Sequence, residues 1–248
     1  MNIRAAVIDL DGTLIGKAEE ISARVDRALT HLSKLLPVSI ATGREAADTI
    51  KFARQLGLTS PQICDGGATI LDPTSGRSLW TDPLQPDRAR EIIQILQSAK
   101  AEFIATHTGG SITSYSRITN WNLIRVSALD LDEQGADRMV GHFAANPALH
   151  VVKVYLPYNG LWAVDFTDSQ VDKAAATLKL ARMIDVDAGD IMAAGDSYND
   201  IPLLRLCGLG IAMGDAPDEL KAVADFVAPP VEEDGLAVAI EEFVLPSL

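Results

Sequence analysis

Apolar and polar positions fall into blocks of two lengths along the chain. Short, mostly apolar runs (Ala5-Ala6-Val7-Ile8, Val38-Ser39-Ile40-Ala41, Pro61-Gln62-Ile63-Cys64, Ile191-Met192-Ala193-Ala194 and Leu209-Gly210-Ile211-Ala212-Met213) predict buried strands. Longer stretches between them carry apolar residues three and four apart. Ser22 is placed to cap one, with Val25, Ala28, Leu29, Leu32 and Leu36 on a single face before Pro37. A second runs from Glu45 to Leu56 and stops at Gly57, a third spans Asp172 to Ile184, and a fourth passes through Leu203-Leu204. With Phe226-Val227 as a last short strand, this alternation predicts an α/β fold with a parallel sheet and right-handed crossovers.

The pattern changes at Pro83. A helical stretch from Pro86 to Lys100 is followed by a β-rich polar segment from Phe103 to Arg125, a helix from Asp132 to Ala145 and two adjacent strands, HVVKVYL and LWAVDF. Residues 83–167 therefore read as an inserted α+β domain. The core is expected to comprise residues 1–82 and 168–248.

Composition narrows the partners. With 248 residues and 48% apolar content, the chain suits one large globular domain or a core with a smaller insertion. Its 21 Lys and Arg against 34 Asp and Glu give a net charge of −13, which argues against nucleic acid and anionic membrane as partners. An anionic substrate must then be drawn locally, by a metal or a few placed cations. Cys64 and Cys207 are too few for a disulfide framework and lack metal-site spacing, so both are expected as plain core residues in a reducing compartment. The four histidines (His31, His107, His142, His150) are scattered and offer no paired metal spacing. The run before Asp9 is too short for a signal peptide or a membrane span, so a cytoplasmic location is expected.

Chemistry gathers where the strands end, at the edge where parallel sheets bind ligands. Asp9 and Asp11 follow the first strand, Thr42, Gly43 and Arg44 the second, and Gly195, Asp196, Ser197, Asn199 and Asp200 a later one. Four carboxylates converging in one cleft repel each other unless a hard cation compensates them, and Mg²⁺ suits them best. Asp9 can attack phosphorus, giving an aspartyl-phosphate, while Asp11 handles the protons of both half-reactions. Gly12 permits a tight turn, and Thr13 is expected to hydrogen-bond locally and hold Asp11.

Asp9-Leu10-Asp11-Gly12-Thr13-Leu14 resembles the first signature of the haloacid dehalogenase-like phosphohydrolases. Ala41-Thr42-Gly43-Arg44 is similar to the second, Lys173 to the third, and Gly195-Asp196-Ser197-Tyr198-Asn199-Asp200 to the fourth. The segments GIAMGDAPDELKAVADFV and EDGLAVAIEEF resemble the closing part of the Cof-type subgroup, whose members carry a type II cap between the second and third signatures. The resemblance implies a Rossmann-like core with that cap at residues 83–167. It implies Asp9 as nucleophile and metal ligand, Asp11 as acid/base giving its carbonyl to Mg²⁺, and Asp196 as the third ligand. It also implies Thr42 and Gly43 on the phosphoryl oxygens, Lys173 as the neutralising cation, and Asn199 and Asp200 orienting metal waters and Lys173. Two departures are visible: Gly66-Gly67-Ala68 stands where Asn-Gly-Ala is usual, and Ala174 where Gly is common.

The expected function is Mg²⁺-dependent hydrolysis of a small phosphate ester, a sugar phosphate or short phospho-acid, by a monomer or homodimer. The alternatives are a phosphotransferase or mutase using the same intermediate, and a silent binding protein. Arg44 either touches substrate or covers a helix start. In the insert, His107, Arg117, Asn120 and Trp121 stand either as substrate contacts or as parts of a surface hairpin.

Overall fold

The computed structural model describes residues 3–156 and 159–247 and divides into two compact units, residues 1–79 with 172–248 and residues 80–171. The first is built on a five-stranded parallel sheet in the order Phe226–Val227, Leu209–Ala212, Ile191–Gly195, Ala5–Ile8, Val38–Ile40. The interior strand Ala5–Ile8 is buried along its whole length, so its apolar run is a consequence of having no solvent face. The helix Ala23–Leu32 turns Val25, Ala28, Leu29 and Leu32 inward, and the Ser22 hydroxyl accepts the Val25 N–H at its start. The helices Ala46–Gln55, Lys173–Met183 and Ile201–Leu206 are the other crossovers that the sequence predicts.

The third predicted strand behaves differently. Gln62–Cys64 pairs antiparallel with Thr69–Leu71 and, among the described residues, forms an isolated parallel bridge to the sheet between Ala41 and Ile63. The fully buried Gln62 side chain explains this. Its Oε1 accepts the Ile40 N–H at 2.7 Å and its Nε2 donates to the Val38 carbonyl at 3.3 Å, so a side chain satisfies edge groups that another strand's backbone would have taken.

The second unit is an antiparallel sheet in the order Gly110–Ile112, Glu102–His107, Arg125–Leu131, Leu161–Asp168, Leu149–Leu156. The helices Pro86–Ala99 and Glu133–Phe143 share one core with it, around Ile92, Leu96, Phe103, Val126, Phe143 and Phe166. Arg125, read from sequence as the end of a β-rich stretch, instead opens a seven-residue strand in the middle of the sheet. Alternation hides it: Val126 and Ala128 enter the core, while Arg125 and Ser127 take the opposite face and break the apolar run.

Candidate active site

Pairing of Ala5–Ile8 with Ile191–Gly195, with Ile8 opposite Ala194, puts the first and fourth signature segments side by side. Asp9 follows the first strand and is 5% exposed; Asp196 follows the second. Asp9, Asp196 and Asp200 each offer a carboxylate oxygen, all within 4.8 Å of one another. Gly12 makes this packing possible. Its φ is +79°, and a Cβ there would lie 2.0 Å from Asp196 Oδ2.

Lys173, 2% exposed at the start of its helix, ties the group together. Its Nζ donates to Asp9 Oδ1 at 2.5 Å and Asp200 Oδ1 at 2.6 Å, with Asn199 Oδ1 at 3.5 Å. The helix start is seated on Gly67, where a Cβ would come within 2.3 Å of the Asp172 carbonyl oxygen. The Asp200 carboxylate is saturated, because its Oδ2 accepts the N–H groups of Asp196 and Ser197 at 3.2 and 3.1 Å. The Ser197 hydroxyl donates to Asn199 Oδ1 at 2.7 Å, which orients the Asn199 amide.

Burial sets the electrostatics. It holds the Asp9 carboxyl well above the usual range, with Lys173 opposing and Asp200 and Asp196 adding to it. Burial and then Asp200 push Asp196 up to about 6. Burial disfavours the Lys173 ammonium, yet Asp200 and Asp9 outweigh it and raise its pKa.

Thr42 follows Val38–Ile40, the strand on the other side of Ala5–Ile8, and is fully buried. Its hydroxyl accepts the Arg44 N–H at 3.0 Å. Gly43 faces open space, with nothing within 4 Å of a would-be Cβ.

Asp11 does not join the other three carboxylates. Its side chain is 53% exposed and lies on the Arg44 guanidinium, which also holds Glu19. The hydrogen bond that Arg44 donates to Asp11, more than the neighbouring charges, raises the Arg44 pKa. Thr13 does not hold Asp11 either: it is buried, and among the described residues its hydroxyl has no hydrogen-bond partner. Glu19 and Gln62 escape sequence reading, since a carboxylate in a polar turn and an amide in an apolar run carry no distinguishing signal.

In the second unit, His107 Nδ1 accepts the Gly109 N–H and Asn120 Oδ1 accepts the Asn122 N–H, both local turn bonds. Trp121 packs against the helix-side core with the Arg90 guanidinium 5.2 Å from its ring. The sheet's opposite face carries Thr106, Arg125, Ser127, Asp165 and Thr167, with Arg125 Nη1 3.7 Å from Asp165 Oδ2.

The family model of the haloacid dehalogenase-like hydrolases matches residues 6–127 and 112–240. The chain belongs to this family, in its Cof-type branch, and is a phosphomonoesterase. It is similar to the phosphoglycolate phosphatase of Methanopyrus kandleri, at 25% identity over 239 residues and 96% of each chain. It is also similar to the 5-amino-6-(5-phospho-D-ribitylamino)uracil phosphatase YcsE of Bacillus subtilis, at 27% identity over 99% of this chain and 97% of that one. A haloacid dehalogenase-like hydrolase from B. subtilis shares the fold, with a TM-score of 0.86 at 20% identity, over 98% of this chain and all of that one.

The family generally uses Mg²⁺, and the donor set here fits it. Asp9 is a buried and Asp196 a partly buried oxygen donor whose ionised forms burial disfavours, so a hard cation would supply the compensation they lack. Asp200, spent on Lys173 and two backbone amides, is better suited to hold the arrangement than to bind the ion.

Proposed function

We propose that this chain hydrolyses a small phosphorylated metabolite, a sugar phosphate or short phospho-acid, through an aspartyl-phosphate on Asp9. The observation that carries this reading is the buried Asp9 carboxylate at the end of the strand Ala5–Ile8, bound to Lys173 with Asp196 alongside. One Asp9 oxygen attacks phosphorus, the phosphorus–oxygen bond to the leaving group breaks, and Asp11 gives that oxygen its proton. Water then attacks the phosphoryl group, Asp11 takes the water's proton, and the bond to Asp9 breaks to release inorganic phosphate. Thr42 and the Gly43 amide hold phosphoryl oxygens, and Lys173 offsets their charge, which is chiefly what phosphoryl transfer asks of a protein. Asp9, Asp196 and the Asp11 carbonyl would hold Mg²⁺, which when bound neutralises charge on the transferring group.

The core, residues 1–82 and 168–248, meets only groups common to every phosphomonoester. The insert at 83–167, a type II cap, is therefore assigned the discrimination of leaving groups. The names of the two relatives, a short phospho-acid phosphatase and a phosphoribityl phosphatase, support substrates of this size.

Product analysis with Mg²⁺ present tests the reading. Inorganic phosphate equal to substrate lost, with acid-stable label trapped on Asp9 during turnover, is expected. Transfer of the phosphoryl group to another hydroxyl would replace the hydrolase with a phosphotransferase.

A further inference from the structure

The Arg44 guanidinium serves three carboxylates. Its Nε meets both oxygens of Asp11 at 3.1 and 3.0 Å, and Nη2 meets Asp11 Oδ1 at 2.6 Å. Nη2 also reaches Glu19 Oε1 at 2.7 Å, and Nη1 lies 3.8 Å from Asp48 Oδ2. A planar fork on a carboxylate is the strongest arrangement available to this pair. It occupies both Asp11 oxygens, so neither is free to meet a leaving-group oxygen. Glu19 steadies the guanidinium independently of Asp11, and does so from a left-handed backbone conformation, φ 54°, that few non-glycine residues adopt.

We infer that Asp11 occupies on Arg44 the place of a carboxylate borne by the substrate's leaving group, and that exchange of the two carboxylates frees Asp11 to turn to the leaving oxygen. This rests on the phosphatase reading and narrows its substrate class to short phospho-acids. Exchange of one carboxylate for another leaves the fork matched throughout. A neutral, hydroxylated leaving group must instead break the charge-assisted pair with no equal partner to offer, a handicap of about ten- to a hundredfold. Reach limits the acid's length. Asp11 touches Arg44 in one pose and the leaving oxygen in the other, so a short chain links the substrate carboxylate to its ester oxygen.

The test compares kcat/KM for phosphoglycolate with that for 2-hydroxyethyl phosphate, its neutral counterpart, using the full chain with Mg²⁺. The parent is expected to prefer the acid by about tenfold or more. In Arg44→Gln the ratio should fall to within about threefold of unity, and Arg44→Lys, which keeps the charge without the fork, should lie between. Because the ratio is read, any loss shared by both esters cancels. Should Arg44→Gln not fold, the lysine variant carries the comparison alone. No preference in the parent, or a parental ratio in both variants, overturns the exchange. Hydrolysis of p-nitrophenyl phosphate separates the two failures: its absence sinks the phosphatase reading and this inference together, whereas its presence without carboxylate preference sinks the inference only.

Discussion

The two units treat polar groups in opposite ways. In the first, the charged groups at the strand ends are interlocked: Lys173 on Asp9 and Asp200, Asp200 on two backbone amides, Ser197 on Asn199. In the second, polar side chains line the sheet face that its helices leave alone, and the Thr106 and Ser127 hydroxyls there are buried with no partner among the described residues. A saturated network fixes one geometry, as suits chemistry common to all phosphate esters. Unsatisfied groups fix no such geometry, and the proposed role of residues 83–167 in telling esters apart makes this face the place to test.

Breaking the saturated side should have the largest effects. Asp9→Asn is expected to retain the fold, because a neutral amide is easier to bury beside Asp196 and Asp200. It should lose turnover by about four orders of magnitude or more, since an amide is no nucleophile. Steady-state hydrolysis alongside circular dichroism checks this, and activity within tenfold of the parent would refute the nucleophile assignment. Lys173→Met leaves two buried carboxylates without their cation and should cost about 3–5 kcal/mol in urea unfolding. Adding Asp200→Asn should recover part of that loss; strictly additive losses would mean the two residues do not form a unit.

Asp9 and Asp196 were legible in sequence for a physical reason, whereas Lys173, a single lysine on a helix, was marked only by the family resemblance. A buried parallel strand is a continuous apolar run, so a carboxylate at its end stands out, as Asp9 and Asp196 do. Spacing along the chain carries no side-chain direction, so the outward turn of Asp11 and its grip by an Arg44 that also holds Glu19 were not legible. In the second unit, the alternation that puts Arg125 and Ser127 on the polar face disguised a central strand as the edge of a loop. Trp121, read either as a substrate contact or as part of a surface hairpin, packs beside Arg90 on the helix side.

The unsatisfied face can be probed more gently. Ser127→Val and Thr106→Val each remove a hydroxyl that has no partner to lose, so stability should change by less than about 1 kcal/mol. The ratio of kcat/KM between two phosphate esters of different leaving group should move by about tenfold. Trp121→Ala should behave inversely, losing about 1–3 kcal/mol of stability with the ratio intact. If the hydroxyl variants leave the ratio unchanged while Trp121→Ala moves it, the helix side is the reader instead.

The smallest expected effect concerns the cooperativity of the two units, and the sequence supplies a probe for each. Trp80, Trp121 and Trp162 all fall within residues 80–171, whereas Cys64 and Cys207 both fall in the other unit. Both thiols are buried, and burial pushes Cys207 up to about 12. Between its ordinary value near 9 and about 12, the folded chain keeps a proton that the unfolded chain gives up. The Cys207 contribution to stability is thus whole below that window and lost as pH rises through it. At pH 8 the Cys207 thiol is neutral and both thiols are buried in the folded chain, so alkylation reports opening of the first unit, while the emission of Trp121 and Trp162, read in a Trp80→Phe background, reports the second. The second unit is the smaller, and small domains bury a lower fraction of their surface. Its fluorescence transition should therefore precede the onset of thiol labelling by about 0.5 M urea. Coincident midpoints would show instead that the two units unfold as one, and that the contrast between them is chemical only.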